Sequence, residues 1–193
     1  MLGLKLPTDP RWAHIAEKNI EEILIDHAWC EQKAASMAIS IIVTNPDKTE
    51  LIHEMTDLVR EEMGHFKMVM HKLKEYGFEL GPQRPDEYVK KIQQFFPKGG
   101  SRTDGLVHHL LVAALIEARS CERFRVLSEN LEDKNLAKFY FDLMKSEAGH
   151  YTMFLKFARK YDDVEKVNKK WQALLAYEAQ VMQDLGKHHS VHG

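Results

Sequence analysis

Apolar side chains recur every three or four residues along most of the chain, which is the spacing of amphipathic α-helices. The stretch from Ile20 to Ala35 shows this spacing clearly, with Ile23, Leu24 and Ala28 on one face. All six prolines precede residue 98, and the stretches between them are rich in residues that favour helices. No stretch alternates apolar and polar residues for more than a few positions, so strands are not expected. The pattern predicts an all-α fold.

Breaks in this pattern divide the chain into five long helices. They are predicted over about 10–44, with a bend near Asn19, and over about 46–76, 103–130, 134–161 and 164–185. Asn45 is predicted to cap the second helix ahead of Pro46, and Gly77 to end it in a left-handed conformation. The intervening residues 78–103 form a long connection with one short helical piece around 86–96.

Two hairpins of long helices joined by one long crossover are typical of ferritin-like four-helix bundles. We therefore predict a single ferritin-like domain over residues 1–193. Its parts would be a core bundle over about 10–162, a fifth helix over about 164–185 and a polar tail over 186–193.

Composition and charge narrow the class of protein. The chain is 44% hydrophobic and 29% charged, as expected of a globular protein, and its formal charge is −2, so a polyanion would need a local basic patch. Two cysteines are too few for a disulfide scaffold or a four-thiolate metal site. Apolar runs such as 37–43 and 110–116 are too short to span a membrane, and residues 1–10 lack a signal-peptide pattern. We expect a soluble cytoplasmic protein.

An internal repeat carries the strongest chemical signal. A shift of 85 residues aligns the second helix with the fourth, so that both contain Glu-x-Gly-His-aromatic, at Glu62–Phe66 and Glu147–Tyr151. A Glu and a His three residues apart lie on one helix face and can bind one metal ion. A copy kept for packing alone would have little reason to retain both, because burying either without a partner is costly. The repeated glycine costs about 1 kcal/mol relative to alanine, so we expect a close backbone neighbour or space for a ligand there.

A di-metal bundle also needs one glutamate from each of the other two helices. In an antiparallel hairpin, the partners must lie equally far from the turn. Glu31 is 13 residues before Thr44 and Glu62 is 14 after Lys48. In the second hairpin Glu117 fits in the same way, whereas Glu122 lies five residues nearer the turn. An alignment of the Cys-Glu pairs at residues 30–31 and 121–122 would instead favour Glu122, which we otherwise expect to pair with an arginine such as Arg119 or Arg125.

The predicted ligand set holds four carboxylates and two imidazoles: Glu31, Glu62, His65, Glu117, Glu147 and His150. Such an oxygen-rich set suits iron or manganese better than zinc, and we predict two iron ions.

Three further residues could support the ligands. His27, one turn before Glu31, is either a hydrogen-bonded core histidine or a ligand. Asp57 and Asp142 each lie eight residues before a ligand histidine and could accept its outer N–H, or could be solvated.

Four segments of the sequence resemble the MiaE-type tRNA hydroxylases. They are Asp26–Ala35, Arg60–Phe66, Ile116–Phe124 and Ser146–His150, and the third is the most distinctive. The resemblance implies a non-haem di-iron monooxygenase, with iron on the six residues above, that uses O₂ to hydroxylate the isopentenyl group of 2-methylthio-N6-isopentenyladenosine next to the tRNA anticodon. The chain has no CxxC motif and no glycine fingerprint for flavin or nicotinamide, so electrons would come from a separate reductase.

The sequence leaves partners and alternative functions open. Residues that could hold tRNA phosphates are Lys90, Lys91, Lys98 and Arg102 on the crossover, or Lys166, Lys169 and Lys170; each group could equally be a solvated face. We expect a monomer or dimer. The competing functions are iron oxidation, storage or peroxide detoxification of the ferritin or rubrerythrin kind, and a purely structural bundle, which six buried titratable groups disfavour.

Overall fold

The computed structural model describes residues 2–97 and 99–185, and this part of the chain contains seven helices and no strand. The helices are α1 (Trp12–Lys18), α2 (Ile20–Thr44), α3 (Thr49–Glu75), α4 (Glu87–Gln93), α5 (Arg102–Asn130), α6 (Lys134–Tyr161) and α7 (Val164–Leu185). None of these helices combines the length and the apolar composition that a membrane crossing requires. Lys98 and the predicted tail over residues 186–193 lie outside the described residues.

The described residues form two compact units. One comprises residues 18–85 and is built from the α2–α3 hairpin. The other comprises the described parts of 2–17 and 86–185, in which the α5–α6 hairpin packs with α4 and α7. The predicted bend in the first helix is a complete break at Asn19, where the backbone leaves the helical region with φ −129° and ψ 38°.

The α2–α3 turn differs from the sequence prediction. Asn45 does not cap α3; it ends α2, and its side-chain amide donates to the carbonyl of Ile41 at 3.0 Å. The N-cap of α3 is Lys48, so that helix begins at Thr49 and not at Pro46. An asparagine between two helices can serve either neighbour, and here the free carbonyls of α2 take its amide.

The C-terminal end of α3 has the left-handed glycine that the sequence predicts. Gly77 has φ +78°, its N–H donates to Lys74, and the N–H of Phe78 donates to the carbonyl of Leu73 at 2.8 Å. These two bonds form a Schellman motif, which needs a residue with positive φ and therefore favours glycine.

Side-chain caps mark the starts of three helices in the unit that contains the α5–α6 hairpin. Ser101 and Asp104 form a reciprocal capping box at the start of α5, and Asp133 accepts from two backbone N–H groups at the start of α6. Asp86 caps α4 in the crossover. These caps satisfy N–H groups that a helix start leaves without intrahelical partners.

The repeated glycines do not mark close packing. Gly64 and Gly149 are exposed, and a Cβ built on either would meet no atom within 4 Å. The expected close backbone neighbour is therefore wrong, whereas the space expected for a ligand is open at both positions.

Replacing these glycines should stabilise the protein. We expect Gly64→Ala and Gly149→Ala each to raise the free energy of unfolding by about 1 kcal/mol, because alanine loses less backbone entropy in a helix interior. Urea denaturation followed by circular dichroism measures the change. Gly77→Ala is the control with opposite sign, since its positive φ strains any side chain. A loss of stability in both helix variants would show a steric constraint at these positions.

Candidate metal centre

The α2–α3 unit gathers three of the predicted ligands. One ligand atom from each of Glu31, Glu62 and His65 lies within 4.8 Å of the other two, and all three side chains are buried. The Nδ1 atom of His65 is 3.4 Å from Glu62 Oε2 and 3.9 Å from Glu31 Oε2. The three-residue spacing on α3 and the facing position on α2 thus bring two carboxylates and one imidazole together.

The α5–α6 unit gathers the matching set. Ligand atoms of Glu117, Glu147 and His150 lie within 4.8 Å of one another, again with all three residues buried. The Nδ1 atom of His150 is 3.8 Å from Glu147 Oε2. The structure brings Glu117 to this pair and directs Glu122 elsewhere, so the carboxylate at matching height along the hairpin is the one that joins the cluster.

Both clusters lie within apolar stripes. On α3 the buried residues beside Glu62 and His65 are Leu58 and Val69, and α6 repeats this order with Leu143, Glu147, His150 and Phe154. Two carboxylates buried this close together repel each other and lose hydration, so each cluster favours a bound cation. Carboxylate oxygens with one imidazole form a donor set that suits iron or manganese.

His27 is a hydrogen-bonded core histidine. Its Nε2 atom is 2.6 Å from Glu31 Oε1, and only 1% of the residue is exposed. Glu31 therefore has one oxygen directed to His27 and the other toward His65. This contact restricts the rotation of the Glu31 carboxylate.

Asp57 and Asp142 do not support the histidines, and that expectation is wrong. Asp57 is at the surface, 3.5 Å from Arg60, and Asp142 pairs with Lys138 and Lys145. Eight residues along a helix place a side chain about 80° around and about 12 Å away from the histidine, which is too far for a hydrogen bond.

Glu122 belongs to a different buried network. It pairs with Arg119 at 3.1 Å, as the sequence predicts, and also accepts from the backbone N–H of Thr8 at 2.8 Å and from the Thr8 hydroxyl. Its contacts tie the N-terminal segment to α5, and they do not support the metal ligands. Arg125 lies farther away, at 3.9 Å from Glu122.

Arg119 is the centre of this network. It is completely buried, donates to Glu178 on α7 at 2.6 and 2.9 Å and donates to the Leu6 carbonyl at 3.0 Å. Tyr88 on α4 donates to the same Glu178 carboxylate at 3.3 Å. Burial acts to lower the pKa of Arg119, but Glu178, Tyr88 and Glu122 together outweigh it and the pKa is raised. One guanidinium thus joins the N-terminal segment, α5 and α7.

Sequence reasoning missed Glu178, Tyr88 and Thr8. The available signal was in α7, where Glu178 interrupts an apolar stripe between Leu174 and Val181.

A second buried cation, Arg123, lies close to this network. Its guanidinium is 4.1 Å above the ring of Trp12, and burial lowers the pKa of Arg123 to about 9.

The crossover cations that were predicted to hold tRNA are at the surface, and among the described residues no contact gathers them into one site. Lys90 is paired with Glu87 at 2.6 Å, Lys91 is half-exposed, and Arg102 is the exposed first residue of α5. Their role remains a prediction.

Comparison with known proteins places the chain in a family. Residues 2–193 match the family described as tRNA-(MS[2]IO[6]A)-hydroxylase (MiaE). The chain belongs to this family. It is 38% identical over 180 residues to the tRNA 2-(methylsulfanyl)-N(6)-isopentenyladenosine(37) hydroxylase of Pseudomonas putida, covering 93% of this chain and 86% of that protein. The Salmonella typhimurium hydroxylase of the same name is 37% identical over 122 residues, covering 60% of this chain and 42% of that protein.

A solved structure resembles this MiaE-family chain over nearly its whole length. It is protein 43 with aldehyde deformylating oxygenase activity from Synechococcus, which is 30% identical and has a TM-score of 0.91 over 98% of this chain and 95% of its own. The predicted all-α, ferritin-like fold is confirmed, and so is the predicted membership of a tRNA hydroxylase family.

The buried network around Arg119 should dominate the stability of its unit. We expect Arg119→Met to lower the free energy of unfolding by about 3–5 kcal/mol, because it leaves two buried carboxylates, Glu122 and Glu178, without their cation. Urea denaturation measures this. The control is Arg60→Met, which removes an exposed pair with Asp57 and should change stability by less than about 1 kcal/mol. Equal effects of the two variants would contradict the role given to Arg119.

Proposed function

We propose that this chain hydroxylates the isopentenyl group of 2-methylthio-N6-isopentenyladenosine in tRNA, using O₂ and two iron ions. The proposed ligands are Glu31, Glu62, His65, Glu117, Glu147 and His150. The observation that carries the proposal is the repeated donor set, two buried carboxylates and one buried imidazole in each unit. The names of the two hydroxylase relatives support the choice of substrate.

Charge balance supports two divalent ions. With neutral imidazoles, the carboxylates of each unit carry −2, the charge that one ferrous ion neutralises. The ferritin-like class places one glutamate on each of two helices and a Glu-x-x-His pair on each of the other two, and this chain repeats that pattern.

The residues of this chain bind and orient the iron and exclude water from it. His27 holds one oxygen of Glu31, so the carboxylate presents its other oxygen in a fixed direction. The apolar stripes on α3 and α6 keep the ligands out of solvent. Bound iron would supply the activation of O₂ that attack on an unactivated C–H bond requires.

The reaction requires an electron donor. One oxygen atom enters the C–H bond and the other leaves as water, so each turnover consumes two electrons and two protons. Cys30 and Cys121 are both buried free thiols. The proposal also includes a separate reductase, a cytoplasmic location beside tRNA, and a monomer or dimer as the assembly.

The test is hydroxylation by the iron-loaded protein. With tRNA, a ferredoxin-type reductase system and O₂, we expect hydroxylated isopentenyl-adenosine by nucleoside mass spectrometry and about two irons per chain. His150→Ala should lower the iron content and remove the activity, because loss of a ligand weakens metal binding strongly. His53→Ala is the matched control, since His53 follows Glu50 at the same spacing but is exposed.

Three outcomes would contradict the proposal. An unchanged iron content in His150→Ala would exclude the ligand assignment. Turnover of an aldehyde without any hydroxylation of tRNA would favour the activity named for the Synechococcus relative, and iron uptake without either reaction would favour storage.

His27 should act as a positioning residue. We expect His27→Leu to weaken iron binding by about 10- to 100-fold, because Glu31 is then no longer held in its orientation. His27→Gln, which can still donate to the carboxylate, should retain more of the affinity. Competition with a coloured iron chelator measures both. Equal affinity in the leucine variant and the unaltered protein would show that Glu31 is oriented by other residues.

A further inference from the structure

A cleft of about 600 Å³ lies in the unit that contains the α5–α6 hairpin, where the crossover meets α5 and α7. We call it the crossover cleft; it is lined by Phe95, Phe96, Gly99 and Gly100 of the crossover, Asp104 and His108 of α5, and Lys166, Lys169 and Lys170 of α7. We infer that it binds single-stranded nucleotides of the tRNA anticodon loop that flank the target adenosine. The inference rests on the proposed function and specifies where that substrate is held.

One wall of the crossover cleft is cationic. Lys166 and Lys170 are held by Asp104 at 3.8 and 3.6 Å and by Asp162 at 3.0 and 3.5 Å, while Lys169 is exposed. The hydrogen bond from Ser101 lowers the pKa of Asp104 to about 2, so this carboxylate is ionised at neutral pH. Three lysines therefore face two carboxylates, and each ammonium group has further donors for a phosphate oxygen. The two aspartates hold Lys166 and Lys170 in place and leave a net charge of about +1 among these five side chains.

Aromatic rings also line the cleft. Phe96 and His108 stack with centroids 4.0 Å apart and planes 9° apart, and Phe95 meets Phe96 edge-on at 4.9 Å. Both stacked residues are half-buried. Burial and the neighbouring Lys170 lower the pKa of His108, which leaves it neutral at physiological pH. Rings beside a row of cations are the combination with which proteins bind single-stranded nucleic acid, because bases stack on the rings while phosphates meet the cations.

Two of the residues that line the cleft are glycines. Gly99 and Gly100 are exposed and have φ of +94° and +99°, a conformation that favours glycine. A Cβ at Gly99 would meet no atom within 4 Å. The backbone conformation thus excludes side chains from this part of the wall.

Because of its position, the cleft can hold nucleotides that flank the target adenosine but cannot hold the target base itself. On α5, His108 precedes Glu117 by nine residues, or about 14 Å along the helix axis. On α7, Trp171 follows Lys170, and its ring lies 6.0 Å from Tyr151, the residue after His150. The cleft therefore lies on the same unit as three proposed iron ligands, but too far from them to hold the reacting group itself. An acidic protein could use the lysines, but it would not require the stacked rings.

The test measures binding of a synthetic anticodon stem-loop RNA to the full-length, iron-loaded protein by fluorescence anisotropy. We expect the double variant Lys166→Ala/Lys169→Ala to bind at least about tenfold more weakly. Its slope of log affinity against log salt should be smaller by about 0.7 for each phosphate that the variant no longer neutralises. Lys67→Ala, an exposed lysine on α3, is the matched control and should bind like the unaltered protein.

A second variant tests the rings. Phe96→Leu keeps an apolar side chain but removes the aromatic face, so we expect affinity to fall by roughly 5- to 150-fold with the salt slope unchanged. Circular dichroism and iron content of each variant show whether the fold and the metal ligands are intact.

The outcomes separate this inference from the proposed function. Unchanged RNA affinity in both variants would overturn the inference, and slower reductase-dependent turnover in the lysine variant with unchanged RNA affinity would assign the cleft to an acidic protein. Weaker RNA binding in both variants supports the inference even if the unaltered protein fails to hydroxylate the bound adenosine, in which case only the proposed reaction is wrong.

Discussion

The burial of paired carboxylates is the constraint on which the rest of this structure depends. Each hairpin places two glutamates and one histidine inside an apolar stripe, where both the lost hydration and the mutual repulsion of the carboxylates oppose folding. A divalent cation bound at the proposed ligands would relieve both costs at once and would thereby stabilise each hairpin.

The features that the sequence predicted are those that repeat or obey helical geometry. The shift of 85 residues exposed two copies of one pattern, and equal distances from the turns selected Glu31 and Glu117, which the structure brings to the expected partners within each unit. The errors concern features without a periodic signal. Asn45 could serve either helix, and the glycines could be read as close contacts although they face open space.

The network around Arg119 lay beyond sequence reasoning for a different reason. It joins residues more than a hundred positions apart, from Leu6 through Arg119 to Glu178, and no local pattern specifies such a contact. The one local signal was a glutamate within the apolar stripe of α7. A charged residue in a buried stripe thus indicates a partner without identifying it: Glu178 pairs with Arg119, whereas Glu62 and Glu147 are proposed metal ligands.

A shared rigid rod relates the two proposed sites. Helix α5 carries Asp104 and His108 at the crossover cleft and Glu117 among the proposed ligands, without a break between them. The rise of a helix per residue is fixed, so a phosphate bound near the first turns of α5 would lie at a set distance from the proposed iron site. That distance would determine which nucleotide of the RNA reaches the iron. Selection of one adenosine among several in an anticodon loop then needs no direct reading of its base. Under this proposal, selection requires only that the neighbouring nucleotides be held at a set distance, and the spacing along α5 would then determine specificity.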